Sequence, residues 1–571
     1  MMTEKLKKCF PDMLVYKSPE KGKFFSTLSL PSFMRDWLLM KFADENGEID
    51  KQEVAAYVKK VIPKKEQWEE IKYNMTRNMQ SERFLAKVKI EIDIATRTAY
   101  FSLPDFGAPK KKEEAVIDWD VVETHKDYLF SPNEVWGIVE LICTTKVDST
   151  KDKNIIKMTD FSPFCPYKIE LDYYMEARDQ FTTLEWIDVL LAAIDYNPDG
   201  YTSEEQKMTM LSRLLPFIEK RVNLIEFAPK ETGKSYLFSQ ISKYGWLISG
   251  GSISRPKMFY DQQKRATGLA SHYDYVAFDE IQSISFPDKN EMQGALKGYL
   301  ESPTGEYRIG NYRGIGESGL VLLGNIDESM MNVNINMFTD LPDIFHDSAL
   351  IDRFHGFIKG WEIPKMRENL KVNGWALNVE YFSEIMHLFR SEMIYRAIVD
   401  EVLDVPKNAA TRDTEAIKRI CTGFLKLIFP NVRNTSKLNI EEFEHYCLQP
   451  ALKMRGIIKT QLGIIDTEFR GKTIPDIKVK ESLKKKSLSL MTNILQLIPK
   501  ILGLEKPQKR KPKRVKKMSK SRKHKWYDKF DDYDYEEINR EQKMENRRKA
   551  KRQKNASRDL DKMVIEDYEN K

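Results

Sequence analysis

The alternation of apolar and polar positions predicts both helices and strands in the first part of the chain. The segments Ser32–Phe42 and Asp50–Val61 carry apolar residues at helical spacing, whereas Val88–Ile94 alternates strictly and predicts a half-buried strand. The apolar run Ala99–Leu103 predicts a second strand, which completes a hairpin. We therefore expect an α+β accessory domain over residues 1–172, with DNA binding as one candidate role.

A capping-box pattern marks the start of the second region. Thr182 opens a Thr-x-x-Glu pattern before the apolar run Trp186–Ala193 and predicts the first residue of a helix. A further helical segment, Glu204–Lys220, leads into the apolar strand Val222–Phe227. This order predicts the parallel sheet of an α/β core, to which we assign residues 173–365.

Helical patterns dominate beyond the α/β core. Apolar residues recur at helical spacing in Glu380–Leu403, Arg412–Ile428 and Asn439–Gln461, which predicts a helical lid. An amphipathic extension with the helix Glu481–Gly503 follows, and the last part has the composition of a charged, disordered tail. We therefore predict a multidomain α/β fold with five regions: residues 1–172, 173–365, 366–463, 464–505 and 506–571.

A phosphate-binding loop follows the strand that ends at Phe227. The loop stands between a predicted strand and a predicted helix, with Ala in place of the usual first Gly of the P-loop pattern. Backbone N–H groups of such a loop bind phosphate oxygens, and Lys234 places a cation near the β- and γ-phosphates. The Ser235 hydroxyl is a predicted Mg²⁺ ligand. The predicted ATP-binding residues of the loop are Ala228, Pro229, Lys230, Glu231, Thr232, Gly233, Lys234 and Ser235.

Two carboxylates end a second apolar strand further along the chain. The strand is Tyr273–Phe278, and Asp279 and Glu280 follow it directly. Asp279 is a predicted Mg²⁺ ligand, and Glu280 is predicted to polarise the water that attacks the γ-phosphate. An Asp-Glu pair at a strand end is in isolation more often a solvated turn, but the upstream P-loop favours the catalytic interpretation.

Two further polar residues stand where a nucleotide site needs them. Asn325 ends the apolar strand Gly319–Asn325 and can contact the γ-phosphate and the attacking water, although an ordinary turn would also explain it. Arg353 follows an apolar helix and can act on the nucleotide of a neighbouring subunit as an arginine finger. The alternative for Arg353 is a residue that interacts with the helix dipole. The order of the four elements favours the functional interpretation.

Five segments of the chain carry a resemblance to a known family. They are Phe227–Tyr236, Ser239–Gly251, Tyr273–Gln282, Gly294–Ser302 and Ala349–Gly356. Together with the helical lid they resemble the AAA+ ATPases, and more closely the BrxL family, the Lon-related ATPases of bacterial BREX phage-defence systems. The resemblance runs from about residue 8 to about residue 463.

The resemblance implies a role for each residue of the site. It implies ATP and Mg²⁺ as cofactors, a homo-oligomeric ring that is hexameric or stacked, and a defence function alongside other BREX proteins. Arg412 is the candidate sensor 2, although Lys418 and Arg419 on the same predicted helix compete for that role. The implied assignments are Lys234 and Ser235 as Walker A, Asp279 and Glu280 as Walker B, Asn325 as sensor 1, Arg353 as arginine finger and Arg412 as sensor 2.

The chain departs from the family after the lid. BrxL proteins usually carry a Lon-protease-like domain there, whereas the remaining residues predict only a helix and a charged tail. The serines Ser487, Ser489 and Ser519 stand in helix or tail, without the strand–turn context of a Ser–Lys dyad. We therefore expect a shortened form without that domain and without peptidase activity.

A glycine-rich segment before the Asn325 strand predicts an inserted β-hairpin. In ring ATPases that resemble the MCM helicases, such a hairpin points into the central channel. Arg308 and Arg313 could contact phosphates there, and Tyr307 and Tyr312 could stack on bases. The alternative is an edge hairpin with surface arginines. We therefore predict double-stranded DNA as a partner.

The positive charge of the chain is concentrated in its last part. Residues 506–571 contain 24 Lys and Arg against 13 Asp and Glu, whereas residues 1–505 contain 69 and 73. Counterion release gives such a segment affinity for DNA or RNA without any fold. A solubilising tail is an equally good explanation, and the charge alone does not identify a partner.

Cysteine usage and apolar run length bear on the compartment. The five cysteines form no C-x-x-C pair, and the chain contains neither a signal-peptide core nor a membrane-spanning apolar run. We expect a cytoplasmic ATPase, without membrane contact, that binds or translocates on DNA. The alternatives are a protein-remodelling unfoldase or Lon-related chaperone that acts on polypeptides, and a nucleotide-gated DNA clamp.

Overall fold

The computed structural model describes residues 2–28, 30–44, 46–130, 134–146, 153–164 and 169–485. The predicted tail 506–571, most of the predicted helix Glu481–Gly503 and the serines Ser487, Ser489 and Ser519 lie outside the described residues. In the described part of the chain, every helix is too short or too polar to span a lipid bilayer.

A helical segment with one short strand opens the chain. The Asp50 side chain caps the fourth helix by accepting hydrogen bonds from the N–H groups of Gln52 and Glu53, as an N-cap residue does. The two predicted helices of this region are confirmed. The elements are α1 (Met2–Cys9), β1 (Leu14–Lys17), α2 (Pro19–Thr27), α3 (Ser32–Phe42), α4 (Lys51–Val61) and α5 (Trp68–Arg77).

A closed five-stranded barrel follows, and it contains the predicted hairpin. Its apolar side chains, such as Phe84, Phe101 and Phe161, fill the interior because alternate residues of each strand point inward. The barrel elements are β2 (Glu82–Asp93), β3 (Thr98–Ser102), β4 (Ala115–Ile117), α6 (Trp119–Thr124), α7 (Lys126–Leu129), β5 (Val135–Lys146) and β6 (Lys153–Pro163). Around the barrel the strand order is β2, β3, β4, β6 and β5.

Four helices lead from the barrel to the central sheet: α8 (Leu171–Arg178), α9 (Thr183–Ala193), α10 (Glu204–Ser212) and α11 (Leu215–Ile218). The capping box of α9 is confirmed, since Thr182 accepts from Glu185 N–H and Glu185 accepts from Thr182 N–H. The prediction of one helix over Glu204–Lys220 is wrong. Pro216 lacks an N–H and its ring would clash with the preceding helical turn, so α10 ends before it.

The centre of the molecule is a five-stranded parallel sheet, which confirms the predicted α/β core. The strand order is β15, β7, β14, β11 and β8. All residues of β7 and β11 are buried, as expected for strands covered by helices on both faces. The elements are β7 (Leu224–Ala228), α12 (Lys234–Gln240), β8 (Gly245–Ser249), α13 (Arg255–Met258), β9 (Tyr260–Asp261), β10 (Ala266–Thr267), β11 (Tyr275–Asp279), α14 (Lys289–Glu301), β12 (Glu306–Ile309), β13 (Tyr312–Ile315), β14 (Gly319–Asn325), α15 (Ser348–Ile351) and β15 (Gly356–Lys359).

A helical lid packs against the sheet. Its elements are β16 (Gly374–Leu377), α16 (Val379–Phe389), α17 (Ile394–Val402), β17 (Leu403–Asp404), α18 (Thr411–Ile428), α19 (Ile440–Phe443), α20 (Gln449–Ile465) and β18 (Lys478–Val479). The helical pattern predicted over Glu380–Leu403 corresponds to two helices, because the chain breaks between α16 and α17. There the buried Lys426 ammonium donates to the Phe389 carbonyl at 2.7 Å and replaces a helical hydrogen bond.

The first forty residues pack on the lid side of the sheet. Strand β1 pairs antiparallel with β16, and the Asp36 carboxylate accepts the Val379 N–H at 2.9 Å. Phe10 lies in one apolar cluster with Tyr174 and Tyr381. The N-terminal helices are thereby built into the same core as the parallel sheet.

Candidate nucleotide site

Three neighbouring strands of the parallel sheet end at the same edge. β7, β14 and β11 pair in parallel, so their carboxyl ends point in one direction. Lys234 follows β7 through a loop, Asp279 ends β11 and Asn325 ends β14. In open parallel sheets, ligands bind outside this edge. The fold therefore brings together residues that stand far apart in the sequence.

The Lys234 ammonium lies inside the loop that precedes its helix. It is 7% exposed and donates to the carbonyls of Ala228 at 3.0 Å and Pro229 at 3.2 Å, and to Asn325 Oδ1 at 3.2 Å. Burial lowers the pKa of Lys234, and the neighbouring Glu226, Asp279 and Glu280 carboxylates oppose that shift. A phosphate oxygen would give the ammonium a stronger partner than these neutral acceptors.

The loop approaches its surroundings so closely that only glycine fits before Lys234. Gly233 has a φ of +77°, and a Cβ atom there would collide with the Tyr196 hydroxyl. Glu231 also has a positive φ, and its carbonyl accepts the Met366 N–H at 2.7 Å. These contacts fix the backbone of the loop, whose N–H groups are the expected phosphate donors.

A buried ion pair contacts the P-loop and supports its backbone, and the sequence analysis did not identify this pair. Arg213 and Glu226 are both fully buried and lie 2.5 Å apart at their closest atoms. The Arg213 guanidinium also donates to the Thr232 carbonyl at 2.8 Å, so the pair holds the loop against β7. The available signal was Glu226, a charged residue inside an otherwise apolar strand, since buried charges are almost always paired.

The two carboxylates after β11 differ in exposure. Asp279 is 6% exposed, and its Oδ1 accepts the Glu280 N–H at 3.1 Å. Glu280 is exposed and has a φ of +50°, a conformation that turns the chain away from the strand. The hydroxyl of Ser235 at the start of α12 is also exposed. One hydroxyl and one carboxylate, together with phosphate oxygens, form the hard oxygen set that Mg²⁺ prefers, so these residues fit Mg-ATP.

Gln282 orients Asn325, and sequence reasoning did not assign it this position. The Gln282 Nε2 donates to the Asn325 carbonyl at 2.8 Å, and the Gln282 Oε1 accepts the Asn325 N–H at 3.4 Å. This reciprocal pair fixes the backbone at the end of β14. The Asn325 side chain is therefore free to point toward Lys234 rather than into a turn.

Arg353 and Arg412 share one carboxylate. Both guanidinium groups pair with Glu301 at the end of α14, and Arg412 also pairs with Asp352 at 3.1 Å. The hydrogen bond from Arg412 is the largest cause that lowers the pKa of Glu301, and Arg353 adds to it. Arg455 pairs with the other oxygen of Asp352 at 2.6 Å and anchors this cluster to α20.

The arginine cluster lies at the opposite edge of the sheet from Lys234. Arg353 precedes β15, which runs parallel to β7, so it stands at the amino ends of the strands. The His355 imidazole confirms this position, because its Nδ1 accepts the N–H of Asn223, the residue before β7. Strands of four or five residues separate the edges by about 15 Å. Neither arginine can therefore contact a phosphate bound to Lys234 of the same chain.

The competing lid cations have other partners. Lys418 pairs with Asp400 at 2.7 Å, and Arg419 donates to the Lys220 carbonyl at 2.8 Å. The first contact joins two helices of the lid, and the second joins the lid to the segment before β7. Of the three cations considered for sensor 2, Arg412 is the one that lies beside Arg353.

The inserted hairpin, β12 and β13, has one buried and one exposed face. Tyr307 is 2% exposed and hydrogen-bonds Ser271 and the Phe259 carbonyl, so it cannot stack on a base; its predicted nucleic-acid role is corrected to packing. Tyr312 stacks on Tyr260 with ring centroids 3.5 Å apart. The side chains of Arg308 and Arg313 are about 70% exposed and both pair with Glu306. The arginines remain available to an anionic partner, and the tyrosines build the hairpin.

A second small hairpin lies beside the first. β9 and β10 carry Lys264 and Arg265 at their exposed turn, and the Gln262 side chain donates to the Ile309 carbonyl. The Tyr260–Tyr312 stack joins the two hairpins. Sequence reasoning missed these two cations, because the strands that present them are only two residues long.

Two family models match this chain. A family model described as "Lon-like protease BrxL-like, ATPase domain" matches residues 156–474. A second, described as "BREX system Lon protease-like protein BrxL N-terminal", matches residues 8–142. The ATPase-domain match contains every residue assigned above to the nucleotide site.

Two curated relatives carry the name "Lon-like protease BrxL". The relative from Escherichia coli O9:H4 (strain HS) is 26% identical over 440 residues, which is 76% of this chain and 61% of the relative. The relative from Bacillus cereus (strain H3081.97) is 32% identical over 317 residues, 55% of this chain and 46% of the relative. The match thus spans about three fifths of the length of the first relative and about half of the length of the second. The ATPase-domain match alone covers more than half of the residues of this chain, and the chain therefore belongs to the BrxL family.

Proposed function

We propose that this chain hydrolyses ATP within a homo-oligomeric ring that binds or translocates on double-stranded DNA in a BREX-type anti-phage system. The observation that carries the proposal is the separation of two half-sites on one sheet. Lys234, Asp279 and Asn325 meet at the carboxyl edge, and Arg353 and Arg412 lie together at the amino edge.

Hydrolysis at the carboxyl edge follows from the proposed roles of its side chains. Lys234 exchanges its neutral carbonyl partners for phosphate oxygens, and Ser235 and Asp279 provide hard oxygen ligands. Mg²⁺, when bound, supplies charge that neutralises the phosphates. Glu280, which is exposed at this edge, accepts a hydrogen bond from the attacking water, and Asn325 orients that water.

A ring explains the arginines at the amino edge. In a cyclic head-to-tail assembly, the amino edge of one sheet faces the carboxyl edge of the next subunit. Arg353 then acts as the arginine finger on the neighbour's γ-phosphate, and Arg412 contacts the same phosphate as sensor 2. The 11% exposure of the Arg353 side chain supports a finger whose orientation is already limited by packing.

DNA is the substrate that the two neighbouring hairpins favour. They carry the exposed cations Arg308, Arg313, Lys264 and Arg265, and Glu306 is an acid beside the first two. Polypeptide-translocating loops instead present exposed aromatic residues, whereas here Tyr307 is buried and Tyr312 is half-buried against Tyr260. The exposed apolar residue of the hairpin is Ile315, which is not aromatic, and exposed cations without exposed aromatic residues favour a phosphate backbone.

The test is the ATPase rate of the purified chain with and without double-stranded DNA, over a range of salt concentrations. We expect stimulation that weakens with salt, and no turnover in Glu280→Gln, which should still bind ATP. Removal of two phosphate contacts in the Arg308→Ala, Arg313→Ala double variant should reduce the salt slope of DNA affinity by about 2. Arg470→Ala, at an exposed arginine in the segment after α20, is the matched control.

Other outcomes identify the alternatives. Stimulation by unfolded polypeptide and not by DNA would identify a protein-remodelling unfoldase or chaperone. Rings that close on DNA with ATP but neither move nor separate strands would identify a clamp. Absence of ATP turnover under every condition would refute the proposal.

A further inference from the structure

Arg455 in the lid helix α20 is a fully buried cation whose hydrogen-bond acceptors come from two other segments. Its Nη1 donates to the carbonyls of Asp352 at 3.0 Å and Phe354 at 2.6 Å. Its Nη2 donates to Asp352 Oδ1 at 2.6 Å, and its Nε donates to Asp413 Oδ1 at 2.7 Å. Arginine carries its N–H donors in a rigid planar fork, so one residue can bind several acceptors at once. Arg455 therefore joins α20 to α18 and to the segment before β15.

Two of these acceptors lie on either side of Arg353. Asp352 precedes Arg353 and Phe354 follows it, and the carbonyls of both accept hydrogen bonds from the same nitrogen of Arg455. The backbone at Arg353 is consequently fixed. The Arg353 side chain contacts the half-exposed Glu301, and among the described residues its buried Nε has no acceptor. Arg353 is thus held more firmly by its backbone than by its side chain.

The remaining acceptor stands next to Arg412. Asp413 follows Arg412 at the start of α18, is 1% exposed, and pairs with Arg455 at 2.6 Å and with Lys459 at 2.9 Å. Arg412 itself pairs with Asp352 at 3.1 Å. Burial alone would raise the pKa of Asp352, but the charge of Arg455 and the hydrogen bond from Arg412 outweigh burial and lower that pKa. Both arginines of the amino edge are therefore attached, through their chain neighbours, to one buried cation.

We propose that Arg455 is a positioning residue, which holds Arg353 and Arg412 at fixed positions relative to each other so that both reach one phosphate of the neighbouring subunit. The inference rests on the proposed function and deepens it, because it names the group that prepares the arginine half-site. Glu301 releases the two arginines when they bind a phosphate, whereas the contacts of Arg455 are to backbone and to buried carboxylates and persist. Arg455 belongs to the lid, so a movement of α20 displaces both arginines together.

Arg455→Lys tests the inference because it keeps the buried charge and removes the fork. A lysine has a single nitrogen and cannot donate to the carbonyls on both sides of Arg353 and to two carboxylates in the same geometry. ATP affinity should stay within about twofold of wild type, because the phosphate-binding loop is unchanged. A displacement of about 1 Å costs about 100-fold in rate, so kcat should fall by about 10- to 100-fold. Calorimetric titration with Mg-ATP and the steady-state ATPase rate measure the two quantities.

Lys426→Met is the matched control for lid stability. Lys426 is another buried cation of the lid, but its partners are Glu219 and the Phe389 carbonyl. Thermal melting should detect a loss of stability in this variant, whereas its kcat should stay within about twofold of wild type. An equal fall in kcat in Lys426→Met and Arg455→Lys would assign the loss to lid stability and overturn the inference.

Mixed assemblies identify the half-site in which Arg455 acts. Mixing Arg455→Lys subunits with Lys234→Ala subunits should restore part of the ATPase rate, since intact arginines then face intact P-loops at some interfaces. Mixing Arg455→Lys with Arg353→Ala should restore nothing, because both changes damage the same half-site. Recovery in the second mixture would overturn the inference.

Asp413→Asn provides a second measurement if Arg455→Lys does not fold. It keeps the size of the side chain and an acceptor oxygen but removes the charge that Arg455 pairs with, so kcat should fall by about fivefold at unchanged ATP affinity. A wild-type kcat in Asp413→Asn or Arg455→Lys, together with a loss in Arg353→Ala, would overturn the inference and leave the proposed function intact. Absence of ATP turnover by the wild type would overturn both.

Discussion

The two edges of the central sheet differ in what they carry. The carboxyl edge has the loop, a buried ammonium and two carboxylates, and it fits a triphosphate with its metal ion. The amino edge has two guanidinium groups that share Glu301, and among the described residues no P-loop lies near them. One edge fits a bound triphosphate, whereas the other carries positive charge that a phosphate at the first edge of the same chain is too far away to meet.

This difference indicates how activity would depend on assembly. Binding needs only the carboxyl edge, and should therefore occur in a single subunit. In the proposed ring, turnover needs both edges, and about 15 Å of sheet separates them within one subunit. Variants at the two edges should consequently fail in different ways, and mixtures of them should distinguish a shared site from two independent ones.

The largest effect is expected at the carboxyl edge. Lys234→Ala removes a buried cation whose charge-assisted hydrogen bonds are worth about 1.5–3 kcal/mol each, so ATP affinity should fall by about 100-fold or more. Turnover should be lost together with binding. Calorimetric titration with Mg-ATP measures the change, and a thermal melt establishes that the variant is folded. An unchanged Kd would remove Lys234 from the phosphate site.

Arg353→Ala should separate the two edges. We expect nucleotide affinity to stay close to wild type, while kcat falls by about 1,000-fold, the usual effect of losing an arginine finger. Mixing Arg353→Ala subunits with Lys234→Ala subunits should restore part of the ATPase rate, because some interfaces then combine two intact halves. If the mixture has no more activity than its components, completion of the site by a neighbouring subunit is ruled out.

Arg412→Ala should give a smaller loss at the same edge. A single charge-assisted hydrogen bond to phosphate predicts a fall in kcat of about 10- to 100-fold. Lys418→Ala on the same helix is the matched control, because Lys418 pairs with Asp400. Equal losses in both variants would mean that the ATPase assay reports lid stability and not a phosphate contact.

The smallest effect is expected at Glu301. This carboxylate is about half exposed, and surface ion pairs are worth at most about 1 kcal/mol. Glu301→Gln keeps the size of the side chain and removes its charge, so the arginines should reach a neighbouring phosphate more easily. Ring assembly, followed by sedimentation with a non-hydrolysable ATP analogue, should require up to about fivefold less protein. Weaker assembly would instead mean that Glu301 positions the arginines for the interface.

Much of the nucleotide site could be predicted because its residues belong to short sequence motifs. The P-loop and the two carboxylates after β11 are local patterns, and a parallel sheet places the ends of its strands together whatever the details of packing. Arg213 and Gln282 were missed because their roles depend on partners that only the fold brings near them. No periodicity in the sequence encodes such a pairing.

The predicted roles of the residues in the β12–β13 hairpin could have been improved by considering strand geometry. Tyr307 and Arg308 are adjacent, so they must point to opposite faces of β12, and only one of them can face a ligand. The buried tyrosine and the exposed arginine follow that rule. The break in the segment Glu204–Lys220 has a local cause. Apolar spacing continues across Pro216, but Pro216 cannot donate the hydrogen bond that would continue α10, so the chain starts a new short helix, α11.

The pairing of β1 with β16 has a practical consequence for dividing the molecule. Four residues near the start of the chain cover one side of a strand that begins at Gly374, so a fragment that starts after the barrel would leave that strand uncovered. Its unpaired N–H and C=O groups would then offer a template for association with other chains. A recombinant ATPase fragment should therefore retain residues 2–42, joined to the remainder by a linker in place of the barrel.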